Sequence, residues 1–201
     1  MSAQIKDFNQ RAETKTAKVI DLELYREIAK AKIAEVTPEV IPSDRWVIHD
    51  DAKITCEFNV MTGRPVKENF YIKEYRIDNS YGEATFDRDY FSSMEKSPDH
   101  MIFLTAQVHT QKLLYLVLSK YFGFNYEADS KENLKIWPTQ VSVDMPKMVR
   151  DNENVVQKLW IHSVEAVKSG VFKVKLTSTF NGIVTITSET HVYLISKPED
   201  A

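Results

Sequence analysis

The sequence predicts an α+β fold in which a curved antiparallel sheet wraps around one long central helix. Three observations predict it: a helix-forming segment from Pro98 to Gly123, short extended segments before it, and alternating strands after it. The second half of the helical segment, Leu113 to Phe122, is apolar on almost every side. Because such a helix has no polar face to offer solvent, we expect the sheet to enclose it.

Four extended segments precede the helix. They are Trp46 to Ile48, Ile54 to Val60, Phe70 to Ile77 and Glu83 to Phe86. Turn-forming residues separate them at Thr62 to Pro65 and at Asp78 to Gly82. The polar residues from Asp87 to Pro98 are interpreted as a loop that leads into the helix, which we expect to run from about Asp99 to Phe122.

The last third of the chain is predicted to be all strand. Gln140 to Met145 alternates, and three longer strands follow at Val155 to Val167, Val171 to Phe180 and Ile183 to Ile195. Asn181-Gly182 between two of them is a strong hairpin signal. In Val171 to Phe180, apolar residues occupy one face and lysines and threonines the other, so the sheet is expected to have one dry face. This order of elements predicts the hotdog architecture.

Composition indicates one domain with an N-terminal appendage: 201 residues, 43% hydrophobic and 27% charged. We expect residues 1–45 to form a polar tail and an accessory helix (22–36), and residues 46–201 to form the hotdog domain.

A net charge of −3 without a basic cluster argues against a nucleic-acid binder. No stretch is long enough for a membrane span and no signal peptide is evident, so a cytoplasmic location is predicted. The single cysteine, Cys56, is interpreted as a small core residue.

Two segments resemble a known family. ENFYIKEYRIDNSYGEATFDRDYFSS and PDHMIFLTAQVHTQKLLYLVLSKYFGFNYE look like the A-factor biosynthesis hotdog domain of the gamma-butyrolactone synthases. The matching positions are Tyr90-Phe91, His100, Ala106, Gln111 and Gly123. The resemblance covers residues 53–195. Two positions depart from the family pattern, because its helix glutamate falls on Gln107 and its arginine on Thr110. The chain also has room for only one of the two domains that the family enzymes tend to carry.

The resemblance implies a protein that acts on acyl thioesters of coenzyme A or acyl carrier protein. The family enzymes join a beta-ketoacyl thioester to a glycerol-phosphate-type hydroxyl. We therefore expect synthase-like acyl transfer in fatty-acyl, polyketide or butyrolactone-type secondary metabolism. An acyl thioesterase, a dehydratase, a non-catalytic acyl-binding hotdog and a structural partner subunit are the alternatives. Gln107 in place of glutamate argues most strongly against the dehydratase alternative, since dehydration needs a carboxylic acid at that position.

A hotdog site is expected where the helix begins and meets a partner protomer. The backbone amides of Met101, Ile102 and Phe103 are the predicted substrate-binding donors, because unpaired N–H groups at a helix start stabilise an oxyanion. The acyl chain is expected to run along the apolar helix into the core.

The catalytic residues predicted from the resemblance are His100 and Gln107. A histidine moves protons at neutral pH, so His100 is the candidate acid or base. Gln107, two turns further along the same helix face, can only hold a water or an acyl oxygen. Gln111 is assigned to substrate binding and to tying the helix to the sheet. The simpler alternatives are a loop-capping histidine and buried amides that satisfy a strand. Asp99 is expected to cap the helix or orient His100.

No cofactor and no metal are predicted. The histidines, the cysteine and the carboxylates show no metal-ligand spacing, and His109 is interpreted as a packed or interface histidine. The chain has five glycines and no glycine-rich phosphate loop. A homodimer is predicted, because a single hotdog leaves sheet edges to be covered.

Overall fold

The computed structural model describes residues 46–124 and 133–195, which form one helix and eight strands. The elements are β1 Trp46–His49, β2 Lys53–Met61, β3 Arg64–Ile77, β4 Tyr81–Ser92, α1 Phe103–Phe122, β5 Leu134–Asp144, β6 Val155–Lys168, β7 Val171–Phe180 and β8 Val184–Leu194. The predicted N-terminal tail and accessory helix lie outside the described residues.

All eight strands belong to one antiparallel sheet. Seven of them follow the order β1-β3-β4-β6-β7-β8-β5, and β2 pairs with β3 on the same edge as β1. On that edge β1 pairs with Glu74 to Ile77 of β3, and β2 pairs with Arg64 to Tyr71. The sheet curls strongly around α1, which is the hotdog architecture that the sequence predicts. No helix in the described part of the chain is long and apolar enough to cross a bilayer.

The core lies between α1 and the concave face of the sheet. Five residues of the helix's second half have no exposed surface: Leu113, Leu114, Leu116, Val117 and Leu118. Gly82 of β4 lies directly beneath them. A Cβ at Gly82 would come within 2.7 Å of Val117 Cγ2 and 2.9 Å of Leu113 Cδ1, so the helix approaches the strand as closely as glycine permits. The prediction that the sheet encloses this helix is confirmed.

The hairpin predicted at Asn181-Gly182 is confirmed. Asn181 (φ 48°) and Gly182 (φ 65°) are both in the left-handed region, and the Ile183 N–H donates to the Phe180 carbonyl over 2.9 Å. Two positive φ angles in succession give the type I′ turn that suits twisted antiparallel strands.

Several strands are longer than predicted. β3 begins at Arg64 rather than at Phe70, and β4 continues through residues interpreted as a loop to Ser92. Their charged residues mostly lie on the outer face of the hairpin, so polarity did not mark the strand ends. β5 includes Pro138, which an edge strand tolerates because it needs no N–H on its free side.

Candidate functional site

The helix begins later than predicted. α1 starts at Phe103, and Ile102 precedes it with an extended backbone (φ −84°, ψ 133°). The Met101 N–H donates to the Val149 carbonyl over 2.9 Å, and the Ile102 N–H donates to Glu68 Oε2 over 2.9 Å. Two of the three amides predicted to bind substrate are therefore engaged by the chain itself, and Phe103 is the first residue beyond them.

A buried ion network holds this helix start. Arg88 Nη1 donates to Glu68 Oε1 over 2.8 Å, and both side chains are fully buried. Arg88 Nη2 donates to Asp99 Oδ1 over 2.6 Å, and Arg88 Nε donates to the Asp151 carbonyl over 2.8 Å. Burial raises the pKa of the Glu68 carboxyl, while donors around it, including the Arg88 guanidinium, oppose the rise. The network ties β3, β4 and the loop before β6 to the start of α1.

Asp99 neither caps the helix nor orients His100, so that expectation is wrong. Its carboxylate accepts hydrogen bonds from Arg88 and, over 3.0 Å, from Asn152 Nδ2. The physical reason is that the buried Arg88 guanidinium has N–H donors left over after its bond to Glu68, and Asp99 is the carboxylate that the loop places beside them.

His100 lies three residues before the helix and is half-buried. Its Nδ1 is 2.7 Å from the Pro98 carbonyl oxygen, and its ring centroid is 5.5 Å from that of Tyr90. Because a carbonyl only accepts, Nδ1 carries the proton in the neutral ring and Nε2 keeps a lone pair. Because His100 precedes α1, it does not share a helix face with Gln107, contrary to the prediction. No hydrogen bond joins the two side chains among the described residues.

His109 is packed in the core, as predicted. Its ring has no exposed surface and lies 5.7 Å from Phe70 and 5.0 Å from Phe86, measured between ring centroids. Its Nε2 is 3.1 Å from the hydroxyl oxygen of Tyr75. Burial, with a smaller effect from the nearby Lys112 charge, lowers the pKa of His109 to about 3.

Polar residues spaced three and four apart form one side of α1, which we call the glutamine face: Gln107, Thr110 and Gln111. Gln107 Oε1 and both amide atoms of Gln111 are shielded from solvent and have no hydrogen-bond partner among the described residues. Buried polar atoms are rarely left unpaired, so each such atom needs an explanation. Gln107 Oε1 can accept a hydrogen bond from a ligand donor, and the Gln111 amide can both donate to a ligand and accept from it.

Beside the glutamine face, α1 exposes two aliphatic residues, Leu104 and Val108, which we call the open strip. They are one turn apart and 46% and 48% exposed. Gln107 is three residues after Leu104, and Gln111 three after Val108, so apolar surface and amides alternate along the helix. The inner side of the helix is filled by core residues, so accessible apolar surface lies here rather than in the core.

Further polar residues meet the glutamine face from the sheet. Gln157 of β6 donates through Nε2 to Thr110 Oγ1 over 3.1 Å and to Ser178 Oγ of β7 over 2.7 Å. The glutamines of α1 were predicted as site residues and Gln157 was not, although its place between the buried residues Val155 and Leu159 in an alternating strand marks it as inward-facing. No group of His, Cys, Asp and Glu side chains in the described ranges could hold a metal ion.

No family model matches this chain, and no curated protein matches it. Among solved structures, the homologue of HP0420 from Helicobacter felis is similar with a TM-score of 0.38 and 9% identity, over 59% of this chain and 74% of that one. Cj0977, a sigma28-regulated virulence protein from Campylobacter jejuni, is similar with a TM-score of 0.37 and 12% identity, over 64% and 78%. A mutant of the thioesterase PA1618 from Pseudomonas aeruginosa has a TM-score of 0.37 and 7% identity, over 63% and 82%.

Proposed function

We propose that this protein acts on acyl thioesters of coenzyme A or acyl carrier protein. The observation that carries the proposal is the open strip beside the unpartnered amides of the glutamine face. Leu104 and Val108 offer apolar surface to an acyl chain. Gln107 offers an acceptor, and Gln111 a donor and an acceptor, that no described residue satisfies. An apolar surface with a few convergent polar groups is the usual composition of a small-molecule site.

The proposed reaction is acyl transfer of the synthase type, with His100 as general base. Its Nδ1–H donates to the Pro98 carbonyl, which leaves the Nε2 lone pair to take a proton from an acceptor hydroxyl or a water. The acyl C–S bond then breaks, and the thiolate of coenzyme A or the carrier protein leaves with the proton that His100 took up. Transfer to a hydroxyl would make the protein synthase-like, and transfer to water would make it a thioesterase. Of the three predicted donors, Phe103 remains the proposed donor for the carbonyl oxygen, because the Met101 and Ile102 N–H groups already donate to the Val149 carbonyl and to Glu68.

Non-catalytic acyl binding is the second candidate. One observation favours it: Glu68, the carboxylate at the helix start, is fully buried and paired with Arg88, while an amide stands at Gln107. An amide cannot exchange a proton as an acid or base. A chain with this arrangement can hold a thioester without cleaving it.

Binding should depend on Gln107. We expect Gln107→Ala to weaken acyl-CoA binding about tenfold, the value of one hydrogen bond of roughly 1.4 kcal/mol. The measurement is calorimetric titration with acyl-CoAs of increasing length, accompanied by mass spectrometry to detect acyl transfer or hydrolysis. Asn59→Ala, which removes an exposed amide from β2, is the matched control and should bind as wild type does. Equal affinity in wild type and Gln107→Ala would remove Gln107 from the site.

Turnover separates the two candidates. If the protein is catalytic, His100→Ala should lower the rate at least about a hundredfold, the usual scale for losing a general acid or base. Gln107→Glu restores the family's carboxylate and should raise activity if Gln107 marks lost catalysis. If His100→Ala turns over substrate at the wild-type rate, His100 is not the general base. If wild type and Gln107→Glu both bind acyl thioesters without turnover, the non-catalytic hypothesis is supported.

We also propose a homodimer formed through β5. This strand ends the sheet, and no described strand pairs with its outer edge. Trp137 is 68% exposed and Val141 37% exposed along it, which is unusual for an edge facing water. Light scattering at micromolar concentration should give the mass of two chains, and Val141→Lys, a charge on the edge, should give one. A monomeric wild type would contradict this proposal.

A further inference from the structure

The outer side of α1 changes from open to closed along its length. Leu104, Val108 and Tyr115 lie on this side, because their spacings are close to whole numbers of helical turns. The first two are about half exposed, and Tyr115 is half-buried. In the turns that follow, Leu118 and Phe122 of the same side are buried. The accessible apolar surface of the helix, which begins with the open strip, therefore ends at Tyr115.

Tyr115 is held in place at both ends of its side chain. Its hydroxyl oxygen accepts a hydrogen bond from the Asn133 backbone N–H over 3.2 Å, just before β5 begins. The Asn133 carbonyl in turn accepts from the Ile195 N–H over 2.9 Å, at the end of β8. The ring packs against the hydrophobic core. Because the backbone of a strand holds the tip of this ring, the ring forms a fixed end to the apolar surface.

This surface is also narrow. Gln107 and Gln111 border it on one side, and Lys112 borders it on the other, where its ammonium lies 2.6 Å from the Asp50 carboxylate. A stable protein partner buries roughly 800 Å² on each side, far more than one row of side chains can offer. A single hydrocarbon chain needs only such a row, and a closed end suits a ligand that itself has an end.

We propose that an extended acyl chain lies along the open strip with its terminal carbon against Tyr115, so that Tyr115 sets the longest chain that the site can cover. This inference rests on the proposed acyl-thioester function, and it names the substrate class by chain length. Tyr115 follows Phe103, the proposed carbonyl donor, by 12 residues. At about 1.5 Å per residue, the chain has about 18 Å to cover. An extended alkyl chain advances about 1.25 Å per carbon, from C–C bonds of about 1.5 Å at tetrahedral angles, so the limit is about 14 carbons.

The test measures how tightly the wild-type protein binds straight-chain acyl-CoAs from octanoyl to octadecanoyl, by calorimetric titration below the concentrations at which they form micelles. Binding should tighten about fourfold for each added pair of carbons, since a chain on an open face loses about half of its contact with water. Beyond tetradecanoyl-CoA the affinity should stay constant, because further methylenes find no surface to cover. An affinity that still rises from tetradecanoyl to octadecanoyl would overturn the inference.

Variants of Tyr115 test whether this residue sets the limit. Tyr115→Ala should bind octadecanoyl-CoA about sixteenfold more tightly than tetradecanoyl-CoA, because loss of the ring uncovers about one more helical turn, 5.4 Å, enough for two further pairs of carbons. Tyr115→Phe keeps the ring and should keep the wild-type limit. Tyr193→Ala removes an exposed tyrosine of β8 and is the matched control, which should also keep that limit. An unchanged limit in Tyr115→Ala would show that Tyr115 does not end the site.

The same chain lengths are titrated as free fatty acids, which separates this inference from the proposed function. If fatty acids bind with the expected limit and thioesters do not bind, the proposed function is rejected and Tyr115 still ends an acyl-binding surface. If neither series binds, both are overturned. The wild-type length profile decides the matter even if Tyr115→Ala does not fold.

Discussion

Replacement of Arg88 by methionine is expected to destabilise the protein by about 3–5 kcal/mol, the range for removing one partner of a buried ion pair. Arg88 and Glu68 are both fully buried, and their contact is 2.8 Å. Without the guanidinium, the Glu68 carboxylate is left in the core with the Ile102 N–H, and two backbone carbonyls and Asp99 also lose a donor. The measurement is urea denaturation at neutral pH, followed by circular dichroism.

Two further variants test whether the loss of stability in Arg88→Met arises from burial of the ion pair. Lys73→Met removes an ion pair of similar length, 2.7 Å to Asp87, but the Lys73 side chain is 42% exposed. That variant should lie within about 1 kcal/mol of wild type, because exposed pairs contribute little. In the double variant Arg88→Met with Glu68→Leu, most of the stability should return, since no uncompensated charge remains. An Arg88→Met protein as stable as Lys73→Met would show that the network contributes nothing measurable.

The sequence predicted the enclosing sheet and helix because those signals are local. A segment that is apolar all round and an Asn-Gly pair between β-rich strands act within a few residues of chain. The start of the helix was misplaced for a non-local reason. Pro98 and Asp99 are typical of a helix start. Here the Asp99 carboxylate accepts a hydrogen bond from Arg88 instead of capping a helix, and α1 begins at Phe103.

The candidate site was predictable on the helix and not on the sheet. Gln107 and Gln111 stand out as polar residues in a buried helix, and a family resemblance pointed to them. Gln157 and Ser178 approach that helix only because β6 and β7 lie beside each other in the curled sheet. Glu68 was missed for a similar reason, since the strand was predicted to begin after it. Once β3 starts at Arg64, Glu68 alternates with Val66 and Phe70 on the buried face.

Lowering the pH from 7 to 4 should cost about 3 kcal/mol of unfolding free energy through His109 alone. Burial lowers the pKa of His109 to about 3 in the folded protein, against an ordinary value of 6.5 in the unfolded chain. Between these values the unfolded chain binds the proton and the folded protein does not. Stability contributed by the neutral ring is therefore complete above about pH 6.5, and it is lost at about 1.4 kcal/mol per pH unit as the pH falls towards 3.

The effect is isolated by comparing slopes rather than absolute stabilities. His109→Gln keeps a side chain that can meet the Tyr75 hydroxyl but cannot take up a proton in this range, so its stability should fall less steeply between pH 7 and pH 4. His162→Gln, which replaces an exposed histidine of β6 bonded to Thr177, is the matched control and should give the same slope as wild type. Parallel curves for wild type and His109→Gln would mean that water reaches His109 before the fold opens. The ring packs edge-on against the stacked rings of Phe70 and Phe86 on the inner side of α1, so such access would require the helix to leave the sheet.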